Sequence, residues 1–371
     1  MGWRTVGGCG GRDIVDTQRS SQYPVLLVLP FAVMVLVAVA DVVAGPTVGL
    51  LALFSLGPAF ACVAGTARRA VAVGVLACVL CAGAAGFDGL SGSRREAAAL
   101  VAVVGATGAA MLAAVVRRRM ERELAEVRLI AETAQRVLLR PVPAVVGPVR
   151  VAVSYTSAAA AAHIGGDLYE VVRAPHGTRI IVADVQGKGL EAVETAAVVL
   201  GAFREAAPEE DKLSMVGERL ERALNRRLEG EEFVTAILAE IDDRHCVTML
   251  NYGHPAPLVL RTGGEVGFAE PPVCAPPLGL AVLGPDGPAP YTATLGLGDR
   301  MLLYTDGVTE ARDRRGRFYP LEERAGLLRH PDPQQALAAL RRDVVAHTRG
   351  PLGDDAAMML LCHHAEGEAD T

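Results

Sequence analysis

Aromatic residues are scarce in this 371-residue chain, at 4% with a single tryptophan. Positive charge is not in excess either: 36 Lys and Arg face 42 Asp and Glu, for a net charge of −6. That balance excludes a protein built to coat nucleic acid. The seven cysteines are odd in number and scattered, which excludes a disulfide framework. No phosphate-binding P-loop surrounds Gly187-Lys188, because Val182 stands where its first Gly should be and Gly189 replaces the Ser or Thr. What is abundant is Ala, Val and Leu, within a hydrophobic share of 51%. A chain so apolar is not disordered, and its length allows two or three domains.

The average conceals two halves. Residues 1–150 carry 15 Lys and Arg against 9 Asp and Glu, whereas residues 151–371 carry 21 against 33. After a polar tail over residues 1–23, residues 24–116 hold four apolar stretches. They run over Pro24–Val43, Thr47–Gly65, Ala70–Phe87 and Ala97–Val116. Each approaches the 20 or so residues that cross a bilayer, so an all-α region of four transmembrane helices is expected. With both termini inside, nine arginines fall on the cytoplasmic side and only Arg94 and Arg95 outside. The positive-inside rule therefore puts the back half in the cytoplasm of a multi-pass plasma-membrane protein. The spans hold one acid, Asp41, and no chain of buried charges, which argues against a transporter.

Residues 117–143 form a linker. Met120, Leu124, Val127, Ala131, Ala134 and Leu138 fall at alternating spacings of four and three, the seam of a short coiled coil over residues 120–139. A homodimer through that helix is expected, and the bland alternative is an amphipathic helix packed on its own domain. Pro141 and Pro143 end it.

From residue 149 to 362 the pattern changes to short β-rich runs, with a disordered tail expected over residues 363–371. The strands expected are Arg150–Ser157, Asp167–Val172, Thr178–Asp184, Phe233–Ile241, Cys246–Tyr252, Leu258–Arg261, Tyr291–Leu295, Arg300–Thr305 and Ala356–Leu361. The helices expected are Leu190–Ala206, Lys212–Leu228 and Pro333–His347. Many successive strands with few helices between them point to α+β with antiparallel sheets.

Four aspartates carry the chemistry. Asp167 sits in GGDLYE, Asp184 in VADVQGKG, Asp306 in YTDGVTE and Asp354 in GDDAAMML. Each stands at the rim of an apolar strand beside a glycine that permits close backbone approach. One Asp-Gly is an ordinary turn. Four acids converging without matching Lys or Arg would repel unless divalent cations lay among them. Hard oxygen ligands without His or Cys favour Mg²⁺ or Mn²⁺ over Zn²⁺. Two decoys are set aside. Cys78 and Cys81 form a CxxC inside a span, with no second pair. Cys62 and Arg68 have the spacing of a cysteine phosphatase loop but lack its preceding His, and Arg68 is explained by topology.

The ordered segments GGDLYE, VADVQGKG, FVTAILAEID, NYGHPAPLVL, PPLGL, GDRMLLYTDGVTEA and GDDAAMML resemble the PPM-type (type 2C) metal-dependent serine/threonine phosphatases, in their bacterial SpoIIE-like branch. The resemblance covers roughly residues 150–362 and implies a two-sheet antiparallel β-sandwich flanked by helices. It implies that Asp184 bridges two Mn²⁺ or Mg²⁺ ions, a third being allowed, with the backbone carbonyl of Val185 on one. Asp306 and Asp354 would bind the other, and Asp167 would hold a metal or its water. Hydroxide activated by the metals would attack a phosphoserine or phosphothreonine without a covalent intermediate. The partner implied is a phosphorylated regulatory protein of the anti-sigma factor antagonist type, at the surface of the lipid bilayer.

Three positions depart from the family pattern: Leu168 replaces an aromatic, Glu170 stands where Asp is frequent, and Lys188 replaces a His. Lys188 is a candidate phosphate contact or a solvated turn residue. His254 is read as a turn residue and Asp355 as a neighbour of the ligands. Because no acid is missing, an active enzyme is expected. The alternative is a catalytically weak domain serving as a membrane-tethered interaction module.

Overall fold

The computed structural model describes residues 24–45, 50–64, 66–147, 149–156, 165–227, 232–242, 244, 246–280, 287–350 and 352–363. The chain divides into two compact units, Met1–Leu124 and Ala125–Thr371.

The first unit is helical. Helix α1 spans Pro24–Ala44, a 3-10 turn Leu50–Ser55 leads into α2 at Leu56–Ala64, and α3 spans Ala67–Phe87. Helix α4 starts at Arg94 and continues without a break to Leu138. Met34, Phe54, Ala77, Cys81 and Val103 form its buried core. The outer faces are apolar as well: Leu36, Val79, Val101 and Leu112 are exposed. Helices apolar all round suit a lipid surround better than water.

Among the described residues two helical stretches, Ala67–Phe87 and Arg94–Glu126, are long and apolar enough to cross a membrane; Val28–Ala44 and Leu50–Cys62 are shorter. The expected second span is thus not one regular helix. Pro58, which has no N–H to donate, falls in the first turn of α2, where that donor is not needed.

The second unit is built of strands β1 Val145–Val146, β2 Val149–Thr156, β3 Leu168–Ala174, β4 Gly177–Val185, β5 Val234–Ile241, β6 Cys246–Tyr252, β7 Leu258–Leu260, β8 Val266–Phe268, β9 Tyr291–Thr294, β10 Arg300–Tyr304 and β11 Ala356–His363. Its helices are α5 Leu190–Glu209, α6 Leu213–Leu224, the single turns α7 Asp306–Thr309 and α8 Leu321–Arg324, and α9 Pro333–Thr348. One sheet has the order β1-β2-β11-β10-β7-β8 and the other β3-β4-β5-β6-β9. Every pairing within them is antiparallel.

Successive side chains on a strand face opposite ways. Ile180, Val182, Met301, Leu303, Met359 and Leu361 therefore meet between the sheets. Their neighbours Ile181 and Ala183 pack outward under Phe203 and Leu220 of α5 and α6, and Leu302 and Leu360 pack under Leu337 and Leu340 of α9. The result is a sandwich with helices on both outer faces, as the sequence implied. Because both faces of the central strands are covered, they carry continuous apolar runs such as Ile180–Ala183 rather than alternating ones.

All nine expected strands and the three longer expected helices are present, with ends shifted by a few residues. The short edge strands β1 and β8 and the turns α7 and α8 were not expected. Strand β11 extends to His363, the first residue of the expected tail; residues 1–23 and 364–371 lie outside the described residues.

Arg179 is the largest fully buried side chain. It lies opposite Glu240 in the β4–β5 register, pairs with that carboxylate at 2.5 Å, and donates to the carbonyls of Ala207 at 2.8 Å and Glu210 at 2.5 Å. It thus closes the C-terminal end of α5 against the sheet. Replacing it, Arg179→Met, strands the Glu240 charge and should cost about 3–5 kcal/mol, read as a lowered thermal midpoint of the full-length protein.

Candidate functional site

The acids converge because two sheets end together. Asp167 immediately precedes β3, and the register pairs its neighbour Leu168 with Ala183, next to Asp184 near the end of β4. In the other sheet, β10 ends at Tyr304 opposite Met358 of β11. That register brings Asp306, at the start of α7, beside Asp354 and Asp355, which precede β11. The motif glycines serve this approach. A Cβ on Gly165 would lie 1.2 Å from Oδ2 of Asp355, and one on Gly307 would lie 1.7 Å from its carbonyl oxygen.

Asp167 ties the sheets together. Its Oδ2 accepts the Thr305 hydroxyl at 2.7 Å and the Ala357 N–H at 3.0 Å. The Thr305 N–H donates to the Ala357 carbonyl at 3.1 Å. Burial pushes the Asp167 carboxyl well above the usual range, and the nearby Asp184 charge adds to it. Asp184 is itself pushed up to about 7, by burial first and then by Asp306. Asp306 is raised by burial, Glu310 and Asp354. Asp354 pairs with Lys188, Oδ1 to Nζ at 2.9 Å.

Grooves flank the cluster on two sides. One, of about 240 Å³, is lined by Val185, Gly187, Lys188, Glu191 and Glu232. The other, of about 400 Å³, is lined by Gly307, Glu310, Arg312, Thr348 and Asp354.

The donor set fits hard divalent cations: three of the carboxyls, on Asp167, Asp184 and Asp306, hold their protons above the ordinary range, through burial first and neighbouring negative charge second. Among the described residues no three acidic, His or Cys side chains stand ready around one point. The reason is visible in their partners. Oδ2 of Asp167 is engaged by Thr305 and Ala357, and Oδ1 of Asp354 by Lys188, which an ion would have to displace.

The family model for Stage II sporulation protein E (SpoIIE) matches residues 174–364, just over half of the chain. The chain belongs to the SpoIIE family.

Two solved structures share the fold of this SpoIIE-family chain. The SiaA-PP2C domain of Pseudomonas aeruginosa matches with a TM-score of 0.53 at 20% identity, over 67% of this chain and 98% of that one. The RsbU and RsbW domains of a Mycobacterium tuberculosis protein match with a TM-score of 0.51 at 23% identity, over 60% of this chain and 61% of that one. The sandwich is therefore a PP2C, or PPM-type, phosphatase fold. Asp184, Val185, Lys188, Asp306 and Asp354 lie inside the matched family region, and Asp167 lies just before it.

Sequence reasoning missed several residues of the SpoIIE-family site. Thr305 was visible only as the residue before Asp-Gly. Gln135, near the end of α4, donates through Nε2 to the Tyr155 hydroxyl at 2.7 Å and to the Gly165 carbonyl at 3.1 Å. Tyr155 in turn meets Asp355. The linker helix thus reaches the Gly-Gly-Asp segment directly. Leu138, the last residue of the expected coiled-coil seam, packs on the core of the domain, while Met120 and Leu124 are exposed. The side chains of Val127, Ala131 and Ala134 lie outside the described ones. His254 lies in the connection between β6 and β7, as expected of a turn residue, but is buried there: its Nδ1 meets the Thr235 hydroxyl at 3.1 Å, and burial holds it at about 4.

These groups give the metal-free protein a pH signature. A carboxyl raised in the folded state keeps its proton longer than in the unfolded chain. The associated stability is present at low pH and is lost as pH rises through the folded value. For Asp184 that loss runs from its ordinary 3.8 to about 7. His254, lowered from 6.5 to about 4, works oppositely and removes stability as pH falls across that interval. Above pH 6.5 only Asp184 of these two still titrates. The melting temperature without divalent cation should therefore fall between pH 6.5 and 8, and saturating Mn²⁺ should abolish the fall. Separately, Gln135→Ala should weaken Mn²⁺ binding by about tenfold, as outer-sphere substitutions do, with little change in melting temperature; isothermal titration of the full-length chain measures this.

Proposed function

We propose that this chain is a membrane-anchored protein phosphatase that hydrolyses phosphoserine or phosphothreonine on a regulatory protein. The observation that carries the reading is the convergence of Asp167, Asp184, Asp306 and Asp354 at one end of a PP2C sandwich, with Asp184 raised to about 7. In this reading Asp184, Asp306 and Asp354 hold two Mn²⁺ or Mg²⁺ ions with help from Asp167 and the Val185 carbonyl. Bound there, such ions supply Lewis acidity for attack of water on phosphorus and for the charge of the phosphoryl oxygens.

The protein's own contribution is placement. Asp167, fixed by Thr305 and Ala357, keeps the two sheet ends in register. Lys188, released from Asp354, is within reach to meet a phosphoryl oxygen. The groove beside Asp354 and Gly307 admits the phosphorylated segment. The RsbU relative and the SpoIIE family support a substrate of the anti-sigma factor antagonist type.

The apolar faces of α3 and α4 support anchoring in the plasma membrane as a multi-pass protein. The distribution of arginine supports a cytoplasmic enzyme and cytoplasmic termini. Homodimerisation through residues 120–139 is proposed for the upper part of that helix, where Met120 and Leu124 are exposed.

The full-length protein in detergent should hydrolyse a phosphoserine peptide in Mn²⁺. Asp184→Ala should lower the rate by about 100-fold or more while the fold persists by circular dichroism. A folded wild-type protein without Mn²⁺-dependent turnover would instead favour the interaction module.

A further inference from the structure

The segment Ala311-Arg-Asp-Arg-Arg-Gly-Arg-Phe318 holds four arginines and one acid, within a half-chain of net charge −12. It folds as a tight hairpin. Arg312 and Phe318 form its base as an antiparallel bridge, and the Arg312 guanidinium lies 4.2 Å from the centre of the Phe318 ring. Asp313 organises the turn: its Oδ1 accepts the N–H groups of Arg315 at 2.8 Å and Arg317 at 3.0 Å, and Gly316 supplies the positive φ of 77°.

The sole acid is already spent, because its Oδ2 pairs with Arg317 at 2.7 Å. Arg312, Arg314 and Arg315 are exposed, and among the described residues no carboxylate pairs with their guanidinium groups. A rigid turn holding three unneutralised guanidinium groups in water is not needed for the fold. Its position gives it a use. Arg312 lines the same groove as Gly307, Glu310, Thr348 and Asp354, so the hairpin rises from one wall of the cleft beside the acid cluster.

We propose that this hairpin is a docking element for acidic residues flanking the phosphorylated residue of a protein substrate. The inference rests on the phosphatase reading and adds a sequence preference to it. Glu310 repels an acidic chain inside the groove, whereas the hairpin attracts it at the rim, so together they set which part of the substrate enters and which part stays outside. An anionic lipid surface is the other partner of suitable charge. The protein substrate is favoured because the root of the hairpin lines the groove and the groove leads to Asp354.

The test uses the full-length protein in neutral-lipid nanodiscs and three phosphoserine peptides, flanked by Asp and Glu, by Ala, or by Lys. The acidic peptide should be preferred over the neutral one by about tenfold in kcat/KM, carried by KM. That preference should collapse between about 50 mM and about 500 mM salt. The double variant R314E/R315E should lose it and yet hydrolyse p-nitrophenyl phosphate and the neutral peptide like wild type. Fluorescence anisotropy of the labelled peptides reads docking without turnover, so a failure of the phosphatase reading is seen separately, as absent hydrolysis of p-nitrophenyl phosphate. Equal use and equal binding of acidic and neutral peptides would overturn the proposal. So would a preference that survives charge reversal, or a variant whose only defect is in binding anionic nanodiscs.

Discussion

The buried carboxylate of Asp167 is the contact on which the arrangement of this domain turns. It belongs to the sheet containing β3, yet its hydrogen bonds come from Thr305 and Ala357 in the other sheet, 138 and 190 residues later in the chain. Packed apolar faces can slide over one another with little change in area, because hydrophobic attraction has no direction. A buried carboxylate cannot slide, since leaving its donors would strand it. Asp167 therefore converts a sandwich held by Ile180, Val182, Met301 and Met359 into one with a fixed register. With the register fixed, Asp184 of one sheet faces Asp306 and Asp354 of the other.

The strands were legible from their own pattern, and the sandwich they form was implied by the family resemblance; the central strands are covered on both faces. Ile180–Val182 and Met358–Leu361 are uninterrupted apolar runs too short for buried helices and bounded by Gly and Asp. The edges were less legible. Strands β1 and β8 have two and three residues, too few for a pattern, and exist because a longer neighbour supplies the ladder. The turn α7 is hidden by Asp306-Gly307, which reads equally well as a loop. In the first unit, hydropathy located the apolar stretches, but not that Leu50–Ser55 winds as a 3-10 turn, since helix type depends on how neighbouring helices meet.

The acids were legible as a set, by their shared place at strand ends beside glycine. Their helpers were not. Thr305 and Gln135 have ordinary local surroundings in the sequence, and their roles appear only when partners from elsewhere in the chain arrive, whereas Asp355 stood out beside Asp354. Gln135 is the clearest case: it looks like one polar residue on an amphipathic helix, and its meaning lies in Tyr155 and Gly165. His254 shows the converse. Its Gly-His-Pro context looks like a surface turn, but Asn251 binds both its N–H and its carbonyl at 2.8 Å and draws it inside.

Three separate devices quiet the repulsion among these acids. Asp184 keeps a proton up to about pH 7, Asp167 takes two neutral donors, and Asp354 takes Lys188. Among the described residues no arginine pairs with Asp184, Asp306 or Asp354. That choice matters physically. A guanidinium would grip a carboxylate through two hydrogen bonds and keep its charge at any accessible pH, whereas an ammonium on a flexible stem makes a point contact that can be withdrawn. A proton held on Asp184 up to about pH 7 is equally easy to remove. The Lys188 contact and this proton are thus compensations that a divalent cation can displace near neutrality, while the Thr305 and Ala357 donors keep Asp167 and the register in place. The chain's firm arginine pairs lie elsewhere, at Arg179 with Glu240 and Arg204 with Glu170, where the architecture has to be permanent.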